Sequence, residues 1–107
     1  MKTLNQFLAQ HLPEHKLPQE LAGVLESVAA ACLDINAKVR LGALSGVLGM
    51  AGTGNIQGED QKKLDVITNN IMIDVLKANA NIAGLASEEE DTYVATHENG
   101  GYLVLFD

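Results

Sequence analysis

Between Pro18 and Arg40 the apolar positions fall at Leu21, Val24, Leu25, Val28, Cys32, Ile35 and Val39, at offsets of 3, 4, 7, 11, 14 and 18 from the first. That spacing draws one stripe on a 3.6-residue helix and predicts a helix over 18–40 with these side chains, Cys32 among them, turned inward. Pro18 suits a first turn, where its missing N–H costs nothing. Glu20 adds negative charge at the positive end of the helix dipole. Gly42 follows the basic Lys38 and Arg40 as a stop signal. A shorter helix is predicted over Thr3–Leu12, ending before Pro13 because proline cannot donate within a helix interior. A second long helix is predicted from Glu59 to about Ala80, with Leu64, Ile67, Ile71 and Val75 along one face. Between the two long helices six glycines, at 42, 46, 49, 52, 54 and 58, predict a pliable connector.

After Asn81 the period changes. Ile82–Ala86, Tyr93–Thr96 and Tyr102–Phe106 are short apolar runs, and Glu98-Asn99-Gly100-Gly101 between the last two reads as a hairpin turn. Helices first and strands afterwards predict an α+β fold, with long amino-terminal helices packed on a small, mainly antiparallel sheet. The 107 residues carry no internal repeat and predict a single domain, 1–107. The run Leu103–Phe106 directly before Asp107 is the pattern of a strand expected to continue into a longer protein.

Composition narrows the function. Fourteen Asp and Glu against seven Lys and Arg give a formal charge of −7, with two Phe, two Tyr and no Trp. Such a chain lacks both the phosphate-neutralising charge and the stacking platforms of a nucleic-acid binder. No run approaches the ~20 apolar residues of a membrane span. A lone cysteine cannot form an internal disulfide, and the expected setting is reducing and cytoplasmic.

Several constellations bear on chemistry. Glu88-Glu89-Glu90-Asp91 follows one apolar run and Asp107 another. Carboxylates at the ends of neighbouring strands suit a hard cation such as Mg²⁺, which takes oxygen ligands and offsets their mutual repulsion. The bland alternative is a solvated acidic turn. Asp65, at the edge of the second long helix's apolar face, is a candidate for partial burial; Asp74 lies on the same helix. His11-Leu12-Pro13-Glu14-His15 matches H-x-x-E-H formally, but the pattern needs a helix that Pro13 is expected to break. Gly52–Gly58 lacks the Lys-Ser/Thr ending of a phosphate loop. His97 has no evident partner.

Taken together, Gly54-Asn55-Ile56-Gln57-Gly58-Glu59 running into Lys62-Lys63-Leu64-Asp65, the block Ile82–Asp91 and the strand Tyr102-Leu103-Val104-Leu105-Phe106-Asp107 resemble class I fructose-1,6-bisphosphatase. The resemblance spans Leu21 to Asp107. It implies the amino-terminal half of a sugar-phosphatase-type layered fold, with the carboxy-terminal domain absent. The implied activity is Mg²⁺-dependent hydrolysis of the 1-phosphate of fructose 1,6-bisphosphate in gluconeogenesis, with Mn²⁺ or Zn²⁺ as possible substitutes for Mg²⁺. By the same resemblance Glu88, Glu89 and Asp107 match metal ligands, and Glu89 with Asp65 handles the attacking water. Glu59 is an acidic position in a mobile loop, and Glu20 and Tyr102 fall in a nucleotide (AMP) site. That AMP site departs from the family pattern, because Leu17-Pro18-Gln19-Glu20 keeps only the acid and Gly101-Tyr102 lacks the usual cation. The resemblance also implies a homotetramer. The further ligands and the sugar-phosphate grip would lie beyond Asp107, so the chain alone is expected to be inactive. A sedoheptulose 1,7-bisphosphate phosphatase is a close variant. A free-standing non-catalytic binding or oligomerisation module is the alternative from another class.

Overall fold

The computed structural model describes residues 1–44 and 54–107, with side chains described over 1–41 and 62–107. Three helices, α1 (Leu4–Glu14), α2 (Glu20–Leu44) and α3 (Gly54–Leu76), precede three strands, β1 (Ile82–Ser87), β2 (Val94–Ala95) and β3 (Tyr102–Phe106). The α+β class and the helical layer on a small sheet are as the sequence predicts.

α1 starts on a reciprocal cap. The Thr3 hydroxyl accepts from Gln6 N at 3.1 Å while the Gln6 side chain accepts from Thr3 N at 2.9 Å. The helix does not stop before Pro13, as expected, but runs through it to Glu14. Pro13 stands in the last turn, and the helix is closed by bonds it does not interrupt, Leu17 N to the Leu12 carbonyl at 2.9 Å and Lys16 N to the Pro13 carbonyl at 3.1 Å. Lys16 takes a left-handed φ of 56°, completing a Schellman closure. Leu8 and Leu12 bury their side chains with Ala22 and Leu21 at the start of α2.

The buried seam of α2 is rotated from the expected stripe. Val24 and Ala31 are buried and Val28, Ile35 and Val39 half-buried, whereas Cys32 and Leu25 are exposed. Ala31, not the neighbouring Cys32, takes the buried position on α2, which runs alongside α3. Cys32 is therefore not a core thiol. Along α3 the inward residues are Asn69, Met72, Ile73 and Leu76, and Ile67 faces out. α3 also starts five residues before the predicted Glu59. Glycine at a helix start loses little, because the first turn's N–H groups have no intrahelical partner in any case. Of the predicted connector, 45–53 lies outside the described residues.

The largest correction concerns the sheet, whose order is β2-β1-β3. β1 pairs antiparallel with β2, but its longer pairing, with β3, is parallel. The sheet is mixed rather than mainly antiparallel, and Asn99-Gly100 does not join two paired strands. Instead residues 96–101 pass back across the start of β1. Thr96 N donates to the Ala83 carbonyl at 3.0 Å, the Thr96 hydroxyl to the Ile82 carbonyl at 2.5 Å, and Gly101 N to the Asn81 carbonyl at 3.0 Å. His97, expected to lack a partner, donates from Nε2 to the Lys77 carbonyl at 2.6 Å and ties the crossing to the end of α3.

A bulge lies between Ile82 and Gly84. The extra residue, Ala83, resets the alternation, so Ile82 and Leu85, three apart, both point into the core. They meet Val24 and Leu76, with Met72, Ile73, Tyr102, Val104 and Phe106 packed around them. Leu103 and Leu105 face away.

Candidate metal and phosphate site

Glu88 follows β1 directly and Asp107 follows β3 directly. Parallel pairing with Ser87 opposite Phe106 makes the two acids next neighbours across adjacent strands. Strands so paired lie ~4.8 Å apart, as the reading of the two acids at the ends of neighbouring strands requires. The backbone continues the junction, Glu88 N donating to the Phe106 carbonyl at 3.3 Å. Ala86, Ser87, Leu105 and Phe106 complete the walls of a shallow, open depression of about 390 Å³ around the two carboxyl groups. The carboxyl ends of parallel strands are where open α/β sheets take ligands.

The electrostatics match the geometry. The Glu88 carboxyl is held above its ordinary value, first by a hydrogen bond with Asp107 and then by the Asp107 charge. Partial desolvation and the charges of Glu89 and Asp65 push in the same direction. Four acids on three segments therefore converge. Asp65 comes from α3, half-buried, while Glu88, Glu89 and Asp107 are exposed at the strand ends. Asp74, by contrast, is exposed and paired with Lys77 at 3.2 Å, away from this group.

What holds the acidic turn was not evident from sequence. Asn69, one helical turn beyond Asp65, is 7% exposed. Its Nδ2 donates to Glu90 at 3.1 Å and its Oδ1 accepts from the Ser87 hydroxyl at 2.5 Å. The Ser87 hydroxyl in turn accepts from Glu89 N at 3.2 Å. An amide on the inward face of a helix was the available signal, since a buried polar group needs partners. Replacing Asn69 with Ala is expected to lower stability by about 1–3 kcal/mol, read by urea denaturation, because its partners lose their bonds in a largely buried place.

The remaining expected positions are dispersed. Glu20 is the exposed first residue of α2. Tyr102 opens β3 and packs against a cluster that includes Val24, one turn along α2 from Glu20. Glu59 lies in the first half of α3, and its side chain falls outside the described residues. No helix among the described residues is long and apolar enough to cross a membrane.

The family model described as Fructose-1-6-bisphosphatase, N-terminal domain, matches residues 2–107. Class 1 fructose-1,6-bisphosphatase of Neisseria gonorrhoeae is 74% identical over all 107 residues, which span 33% of that protein. The Acinetobacter baumannii enzyme of the same name is 52% identical over 105 residues, 98% of this chain and 32% of that protein. The chain thus spans about a third of the length of the curated relatives it matches. Among solved structures, Leishmania major fructose-1,6-bisphosphatase in holo form superposes with a TM-score of 0.74 at 24% identity, over 97% of this chain and 30% of that one. That likeness bears on the fold alone, and the family match with the close relatives bears on descent. The chain belongs to the fructose-1,6-bisphosphatase family, as its amino-terminal domain.

Proposed function

We propose that this domain supplies the first metal ligands and the water-handling acid of a Mg²⁺-dependent sugar bisphosphatase that converts fructose 1,6-bisphosphate to fructose 6-phosphate. The observation that carries the reading is the convergence of Glu88 and Asp107 at the ends of two parallel strands, with Glu89 and Asp65 in electrostatic reach. The donor set fits the ion. All donors are hard carboxylate oxygens, crowded enough that the Glu88 carboxyl is held above its ordinary value. Glu88, Glu89 and Asp107 would hold Mg²⁺. When bound, the ion polarises the phosphoryl oxygens and offsets charge on the leaving oxygen.

The chain's own residues carry the remaining steps. Glu89 and Asp65 orient a water in line with the phosphorus and accept its proton as the oxygen attacks. Asn69 and Ser87 fix the acidic turn so that this alignment is set before substrate arrives. Glu20 and Tyr102 are proposed as remnants of a nucleotide site, and Glu59, in the first half of α3 rather than in the expected loop, as an acid that helps to complete the catalytic centre. The sugar-phosphate grip and the remaining ligands belong to the other two thirds of the protein, in a cytoplasmic, tetrameric gluconeogenic enzyme.

Phosphate release by the full-length protein tests the proposal. With Mg²⁺ and fructose 1,6-bisphosphate, turnover is expected that EDTA abolishes, and residues 1–107 alone are expected to give none. No turnover by the full-length protein, or turnover unchanged by EDTA, overturns the reading. Faster release from sedoheptulose 1,7-bisphosphate would reassign the sugar.

A further inference from the structure

The second group of titratable side chains lies at the other end of the domain and plays no part in the phosphatase proposal. His11 and Glu14 are on the last turns of α1 and His15 caps it. Their ligand atoms all lie within 4.8 Å of one another, and His11 Nδ1 is 3.1 Å from Glu14 Oε2. The H-x-x-E-H pattern needs a helix, which Pro13 is expected to break. The helix instead continues through Pro13, so residues 11 and 15 lie one turn apart on one face, with residue 14 beside them.

We propose that His11, Glu14 and His15 form a surface site for a borderline transition-metal ion of the Zn²⁺ class. Two imidazoles and a carboxylate are a donor set for such an ion rather than for Mg²⁺, which prefers oxygen. Around a tetrahedral ion, ligand atoms stand about 3.4 Å apart, given metal–ligand bonds near 2.0–2.1 Å. The His11–Glu14 pair already meets that spacing, and rotation of exposed side chains closes the rest. Two features limit the search. The His11 ring packs on Phe7 with centroids 4.2 Å apart, and the His11 and His15 rings lie nearly parallel at 6.4 Å. The backbone between them is fixed by His15 N donating to the His11 carbonyl and by the Schellman closure. Glu14 lies among the ligand atoms and serves as a ligand rather than as a base. The three residues hold the ion with its fourth position open to water or to a donor from another molecule.

Pulsed electron paramagnetic resonance with Cu²⁺ as the probe separates this site from the carboxylate site, because only imidazole gives remote-nitrogen modulation. The full-length protein is held in excess Mg²⁺ and given one equivalent of Cu²⁺. Modulation from two imidazoles is expected, and Zn²⁺ should displace the copper. His11→Asn and His15→Asn should each leave one imidazole and weaken Zn²⁺ binding about tenfold or more. Glu14→Gln should keep both imidazoles while weakening binding. Circular dichroism checks that each variant remains folded. Modulation absent from the parent protein, or present at full strength in both histidine variants, overturns the proposal.

Discussion

Glu88→Gln in the full-length protein is expected to cut Mg²⁺-dependent phosphate release at least 10²- to 10³-fold, the scale of losing one preorganised electrostatic contact in a transition state. In EDTA the same variant should melt no lower than the parent, and at neutral pH somewhat higher. The two effects have one cause. Glu88 is pushed toward its protonated form by Asp107, Glu89 and Asp65, so the folded state holds that proton more firmly than the unfolded chain does. Its contribution to stability is therefore full at low pH and is lost as pH rises through the raised value. Glutamine imitates the protonated form at every pH and removes a repulsion, while supplying no charge to a cation. Mg²⁺ should accordingly raise the melting temperature of the parent much more than that of the variant. A variant that melts well below the parent in EDTA would mean that Glu88 is structural, and the metal assignment would fall.

Gly100→Ala is expected to destabilise the protein by roughly 3 kcal/mol, at the upper end of the overpacking range, because the obstacle is backbone. A Cβ at residue 100 would stand 2.5 Å from Ala83 N, 2.6 Å from the Ile82 carbonyl carbon and 2.9 Å from its oxygen. None of these atoms can rotate aside. The neighbouring Gly101 has nothing within 4 Å of the same construction, so Gly101→Ala should stay within about 0.5 kcal/mol of the parent. Urea denaturation of the two variants side by side checks the crossing of residues 96–101 over β1. Equal effects would be incompatible with it.

The helices were legible in the sequence because their cause is local. A 3.6-residue apolar period needs no knowledge of the rest of the chain. Their exact seams were not, since Ala31 and Cys32 differ little by hydrophobicity and only tertiary packing separates them. The strands were legible as segments but not as a sheet. Asn99-Gly100 favours tight turning wherever it occurs, and whether the next strand joins its predecessor or crosses to the far edge of β1 is decided by tertiary contacts. Of the candidate site, the acids Asp65, Glu88, Glu89 and Asp107 came from composition and family likeness. Asn69, which holds their turn, was hidden in a helix whose period drew attention to its apolar residues.

The bulge at Ala83 and the crossing at Gly100 sit at one end of the β1–β3 ladder, and the two acids sit at the other. Hydrogen-bonded strands can shift only in whole residues, and each step moves a side chain ~3.3 Å and turns it to the opposite face. A slip of one position would therefore bring Phe106 beside Glu88 in place of Asp107. The ion binding proposed for this edge would then be digital: variants that disturb the far end should yield mixed populations of binding and non-binding molecules, rather than one population with a gradually weakened affinity.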